Sequence, residues 1–216
     1  MKIAVAMLLV AGALGASSIE PWVAGTRPYE TVPYFELNAG GFADLGSRHN
    51  GGVRLDYGIL DHWSLQGIWE GNDAPPAGQM WVLGTQLRLG EQGQYPVDLA
   101  CFAALRKPQR EDGTGVPDSL GGLLLAKELA GHSLSLNGSY SGQDGLSFNL
   151  GYRSPYLFWT LQAGLEIQVQ SARRYVPQLS VELPGDIAFQ CGAGWNSAEG
   201  DPSWLFSLSY ELFPNP

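Results

Sequence analysis

Long apolar runs are missing from this sequence. No segment reaches the roughly 20 uninterrupted apolar residues that a membrane-spanning helix needs, and 44% hydrophobic residues is too dilute for a helical membrane bundle. Basic residues are also scarce. Lys and Arg total 12 against 21 Asp and Glu, a formal net charge of −9. That balance argues against nucleic acid as a partner, because its phosphates call for clustered positive charge. Cysteine is limited to Cys101 and Cys191. The two could pair in an oxidising compartment, but their segments are far apart in strand order and both fall on apolar faces, so free thiols are expected. The histidines, His49, His62 and His132, fall in three separate connections and read as solvated turn residues. No HExxH, P-loop or CxxC occurs, and these are the motifs that would arrange a metal, a phosphate or a redox pair. His132-Ser133 is the one adjacent His/Ser pair, and no acid is placed to complete a triad. No catalytic residue, cofactor or metal site is assigned, and the chain reads as a non-enzyme.

Glycine and aromatics are plentiful: 29 Gly, 7 Trp, 9 Tyr and 8 Phe in 216 residues. Glycine weakens helices, and Trp, Tyr and Phe favour strands, so the composition leans all-β. The start, Met1 to Ser18, reads as a secretory signal: Lys2, an apolar run from Ile3 to Ala13, then small residues that permit cleavage after Ala13, Gly15 or Ser18. The rest, residues 19–216, reads as one domain. The export signal leaves a periplasmic, secreted or outer-membrane protein.

The last strand, Pro202 to Phe213, sets the pattern for the chain. Trp204, Phe206, Leu208, Tyr210 and Leu212 fall on one face; Leu205, Ser207, Ser209 and Glu211 fall on the other. Side chains alternate across a strand with period 2, so one face is greasy and the other mostly polar. The same alternation marks expected strands at Tyr34–Ala39, Gly52–Gly58, Trp63–Gly71, Gln79–Gly90, Tyr95–Leu105, Ser133–Tyr140, Leu146–Arg153, Tyr156–Gln170, Tyr175–Leu183 and Ile187–Asn196. Leu120–Leu129, LGGLLLAKEL, has helix formers and no clear alternation. It is placed as a strand because its neighbours need a partner. The tally is about 12, an even number as bacterial outer-membrane barrels have.

Connection lengths predict long loops at alternate junctions (Gly40–Gly51, Asn72–Gly78, Arg106–Ser119, Ser171–Arg174, Ser197–Pro202) with short turns between them, and Ser141–Gly145 as an exception. Both termini then fall on the short-turn, periplasmic side. Aromatics gather near both ends of the strands, as rings do at membrane–water interfaces. A soluble periplasmic β protein is the competing reading.

The export signal, the amphipathic strands and the closing SYELF resemble Gram-negative outer-membrane β-barrels. GVRLDYGILDHWSLQGIWEG is similar to early hairpins of small barrels described as outer-membrane transporters or porin-like proteins. The resemblance implies an up-and-down antiparallel transmembrane barrel in the bacterial outer membrane. It also implies recognition of the terminal aromatic, here Phe213, by the outer-membrane assembly machinery; Pro214, Asn215 and Pro216 follow that residue, a departure from the usual ending.

Polar faces that point into a lumen can carry charge, which lipid-facing positions cannot. The proposed lumen lining is Arg54, Asp56, Arg88, Glu166, Glu182 and Glu211, within a wider inward set of Glu36, Glu70, Asp98 and Arg153. Its excess of carboxylates predicts passive passage of small solutes with weak cation preference. Arg106, Lys107, Arg110, Arg173 and Arg174 are placed in outer loops, where guanidinium and ammonium groups could contact lipopolysaccharide phosphates. Two alternatives remain: a closed structural or surface-binding barrel acting through its outer loops, and, less favoured, an outer-membrane lipid enzyme.

Overall fold

Twelve antiparallel strands close into an up-and-down barrel in the computed structural model. They are β1 (Leu37–Leu45), β2 (His49–Leu60), β3 (Trp63–Asn72), β4 (Gly78–Gly90), β5 (Asp98–Arg110), β6 (Asp118–Leu129), β7 (His132–Ser141), β8 (Gly145–Arg153), β9 (Leu161–Val169), β10 (Arg173–Leu183), β11 (Ile187–Asn196) and β12 (Pro202–Glu211). The structure describes residues 35–45, 49–72, 78–110, 115–142, 145–169, 173–184, 187–196 and 202–211. The expected export signal, the start of the first expected strand at Tyr34, and Phe213 lie outside these residues. Each strand pairs with its neighbours in sequence, and β1 pairs with β12 from Asn38↔Glu211 to Leu45↔Trp204. Closure leaves no free sheet edge.

The period-2 pattern produces two surfaces. Outward positions include Leu55, Leu65, Leu83, Leu105, Leu123, Leu136, Leu150, Leu165, Leu179 and Phe206, all exposed. An apolar surface running around the whole barrel is far larger than a water-soluble monomer tolerates, and a bilayer is the medium that covers it. Exposed rings border this belt at both ends. Tyr57, Trp63, Tyr95 and Tyr152 lie at the end where β1 starts, and Trp81, Tyr140, Tyr175, Trp195 and Trp204 at the other. These are the two aromatic girdles of a membrane barrel. Cys101 and Cys191 are free thiols on β5 and β11, strands that are not neighbours.

β1, β5 and β9 depart most from the sequence expectation. β1 runs to Leu45 because Gly40-Gly41, read as a loop opening, is ladder. Gly40 lies close under β12, where an added Cβ would sit 3.2 Å from the Leu208 carbonyl oxygen, so the glycine serves close backbone approach. β5 continues through Arg106-Lys107-Pro108. Its pairing with β6 ends at Arg106↔Asp118 while pairing with β4 goes on to Arg110; Pro108 thus occupies an edge-like stretch where its missing N–H is tolerated. β9 starts late, at Leu161, because Leu157 N–H donates to the Leu161 carbonyl and Leu161 N–H to the Phe158 carbonyl. That local turn uses up the backbone groups a longer ladder would need.

The expected contrast in connection length is corrected accordingly. Residues 46–48, 142–144 and 170–172 link strands at the supposed long-loop end, whereas 91–97 and 154–160 do so at the other. Strand extension absorbs most of the predicted outer loops. At the end with the termini, the β6–β7 hairpin closes on two residues of positive φ, Ala130 (52°) and Gly131 (80°). That is the type I′ geometry matching sheet twist.

Candidate functional site: the barrel lumen

Cross-strand register assigns the inward face. Gly52, Arg54 and Asp56 on β2 lie opposite Phe42, Gly40 and Asn38 on β1, and opposite Glu70, Ile68 and Gln66 on β3. Carried around the barrel, the register gives two unlike walls. From β7 through β12 the inward row is mostly Ser, Asn, Gln and Gly, including Ser135, Asn137, Asn149, Gln162, Gln178, Gln190 and Ser207. From β4 to β6 the middle of the row is apolar, with Val82, Ala100, Phe102, Leu124 and Ala126, and it is joined by Ile68 on β3, whose other inward residues are polar. The apolar side chains except Phe102 are dry, at 0–6% exposure. Both walls are packed, since on the polar one Ser135, Asn137, Asn149, Gln162 and Gln190 are themselves only 5–9% exposed. Two inward rings lie over cross-strand glycines, Phe42 on Gly52 and Phe102 on Gly122. A Cβ on Gly52 would fall 2.5 Å from the Phe42 ring, and one on Gly122 2.8 Å from the Phe102 ring. Glycine lets each ring lie along the wall instead of across the lumen.

The six proposed lumen residues are spread along the barrel and do not form one cluster. Arg54 Nε meets Asp56 Oδ2 at 2.6 Å, and Gln66 donates to the other Asp56 oxygen at 3.0 Å. Glu166 is 1% exposed, opposite Gly151 and Val176, and accepts a hydrogen bond from Gln168 at 2.9 Å. Arg88 lies toward the end with the termini, 3.6 Å from the exposed Glu91. Glu182 is exposed at that same end and accepts the Tyr156 hydroxyl at 2.6 Å. Glu211 stands opposite Asn38 in the ladder; its side chain is outside the described set.

Two of the residues expected in outer loops belong elsewhere. Arg106 is a β5 residue facing inward, 9% exposed, with Nη2 at 2.8 Å from Asp118 Oδ2 and 3.4 Å from Ser141 Oγ. Asp118 Oδ1 in turn accepts the Gly142 N–H at 3.1 Å. Arg174 reaches from β10 past β11 and β12 to Asp44 on β1, with Nη2 at 2.6 Å from Oδ2, and it also donates to Ser203 Oγ on β12 at 2.5 Å. Gly194 makes room for that reach, because a Cβ there would sit 2.7 Å from Arg174 Nε. Both arginines brace the rim from inside, and neither is a loop cation. Lys107 faces outward and is exposed. Arg110 and Arg173 end their strands, and their side chains are outside the described set. Asp44 and Asp118 were missed because both lay in segments read as loops.

His132 and Ser133 point to opposite faces of β7, since Ser133 shares the inward row with Glu128 and Arg153. The His132 ring instead stacks on Tyr152 and meets its hydroxyl at 2.8 Å.

No protein-family model matches the sequence, and no curated protein matches it. Among solved structures the chain is similar to the KdgM porin in complex with disordered oligogalacturonate, with a TM-score of 0.67 at 8% identity over 82% of this chain and 99% of that one. A second structure of the KdgM porin gives 0.65 at 8% identity over the same shares. The outer membrane protein Omp33 of Acinetobacter baumannii gives 0.56 at 4% identity, covering 82% of this chain and 98% of that one. The fold is that of outer-membrane porins.

Proposed function

We propose that this protein is an outer-membrane channel through which small solutes diffuse, with a weak preference for cations. The supporting observation is a closed barrel, greasy outside, whose interior keeps a polar wall. The longest connections between consecutive strands, residues 91–97, 111–117 and 154–160, are short. The porin fold of the structural neighbours supports the same reading. Small solutes are favoured because much of the interior is crowded, with Val176, Leu205 and Glu166 at 0–1% exposure.

Cation preference follows from summed charge. Inward carboxylates Glu36, Asp44, Asp56, Glu70, Asp98, Asp118, Glu166 and Glu182 outnumber the guanidiniums of Arg54, Arg88, Arg106, Arg153 and Arg174. A narrow, low-dielectric lumen focuses that excess. The preference is weak because most of the acids are buried, three of them against arginines. The arginines other than Arg106 are partly exposed. KdgM was solved with an oligogalacturonate, a polyanion; the carboxylate excess here favours neutral or cationic solutes.

The crowded interior also favours a second reading, a closed barrel that binds or braces through its outer end, with Lys107 available to lipopolysaccharide phosphates. Vesicle swelling with neutral sugars of graded size separates the two. A channel admits the small sugars with a size cut-off, and a closed barrel admits none. Assembly into the membrane through recognition of Phe213 remains part of the proposal.

A further inference from the structure

The connection between β8 and β9 presents four large apolar side chains in a row: Tyr156, Leu157, Phe158 and Trp159, at 45%, 53%, 73% and 99% exposure. Water on every side of such a run would be costly. The segment is nevertheless tied down. Ser154 N–H donates to the Ala163 carbonyl at 2.8 Å, Leu157 N–H to the Leu161 carbonyl at 2.8 Å, and Glu182 N–H to the Thr160 carbonyl at 2.9 Å. The Tyr156 hydroxyl is fixed on Glu182, and Pro155 lies beside the neighbouring turn, 3.4 Å from where a Cβ on Gly131 would be. The backbone of the segment is therefore held in place while the four large side chains stay exposed.

Their surroundings point to one occupant. Leu161, the first residue of β9, pairs with Val181, and Leu183 follows on the same outward face of β10 at 45% exposure. The run thus continues the apolar belt downward at the end that bears the termini. It contains no charge between Ser154 and Thr160, and Trp, Tyr, Phe and Leu are the residues that settle at the boundary of headgroups and acyl chains.

We propose that Tyr156 to Trp159 form an interfacial anchor seated in the phospholipid leaflet at the barrel end that carries both termini. The inference rests on the membrane-barrel reading. Anchoring aromatics of this kind fix the depth and tilt of a membrane protein.

The test uses the full chain with Cys101→Ala and Cys191→Ala, and one new cysteine at a time, Trp159→Cys or Leu136→Cys. Each is labelled with an environment-sensitive nitrobenzoxadiazole probe and reconstituted in phosphatidylethanolamine/phosphatidylglycerol vesicles. Leu136 lies on the outward face of mid-β7, 44% exposed, and reports on the membrane reading alone. The anchor predicts blue-shifted emission at 159, quenching by headgroup-labelled spin lipid and little quenching by iodide. At 136, quenching by a deep spin lipid is expected. Water-like emission at 159 with strong iodide quenching, while 136 stays lipid-quenched, overturns the anchor. Protection at 159 that disappears as the protein is diluted into lipid also overturns it, in favour of contact with a second copy. Water-like emission at both sites sinks the membrane reading itself.

Discussion

Replacing Asp118 with alanine should destabilise the barrel by about 3–5 kcal/mol, the usual cost of leaving one charge of a buried pair without its partner. Arg106 and Asp118 meet at 2.8 Å with side chains only 10% and 6% exposed. At an effective dielectric constant near 20, two charges that close attract by about 6 kcal/mol, which offsets the loss of their hydration. In the Asp118→Ala variant the guanidinium stays buried and loses its 2.8 Å carboxylate, while Ser141 Oγ at 3.4 Å remains among its acceptors. The Gly142 N–H loses its acceptor as well, a further loss of about 1 kcal/mol. The double variant Arg106→Met, Asp118→Leu should recover most of the stability, since apolar side chains of similar size can replace a buried pair without loss. The assay is urea unfolding of the refolded barrel in detergent or lipid, followed by tryptophan fluorescence. An Asp118→Ala variant within about 0.5 kcal/mol of the parent, the scatter of ordinary surface changes, would refute the pairing argument. So would a double variant as unstable as the sum of the single ones.

Other predictions use the same unfolding assay or a conductance readout. Gly194→Ala puts a Cβ 2.7 Å from Arg174 Nε and 2.9 Å from Ser203 Oγ. It should cost about 1–3 kcal/mol and be non-additive with Asp44→Ala, because both release Arg174; full additivity would mean that the latch is not shared. Ala130→Asn should stabilise by about 0.5–1 kcal/mol, because Ala130 holds φ 52° beside Gly131 and Asn tolerates that left-handed geometry better. No change in the unfolding midpoint would count against the turn assignment. Glu166→Gln together with Glu182→Gln should move the reversal potential in a salt gradient toward anions, and an unchanged potential would remove both acids from the selectivity of the lumen.

The barrel was legible in the sequence because most strands face lipid on one side and polar groups on the other. β7 shows this plainly, with Leu134, Leu136 and Tyr140 against Ser135, Asn137 and Ser139. β6 resisted reading for the opposite reason. Leu123 and Leu125 face outward while Leu120, Leu124 and Ala126 face a dry interior wall, so both faces are apolar and the alternation disappears. The ends of β1 and β5 were hidden by Gly40-Gly41 and Pro108, residues that mark loops by propensity but here serve close strand approach and an edge-like stretch. The start of β9 was over-read because Tyr156 to Trp159 look like strand and are held in a turn by local hydrogen bonds. Of the lumen, the Arg54–Asp56 pair follows from alternation alone, since residues two apart share a face. The pairs Arg106–Asp118 and Arg174–Asp44 do not: the first depends on the register of the β5–β6 hairpin across a segment read as loop, and the second on closure between strands distant in sequence.

Single-channel recording of the refolded protein in a planar bilayer tests the central claim most directly. The account predicts discrete, small conductance steps with a modest cation preference in a salt gradient. Stable insertion with no steps would contradict it and turn attention to a closed barrel that works through its outer end.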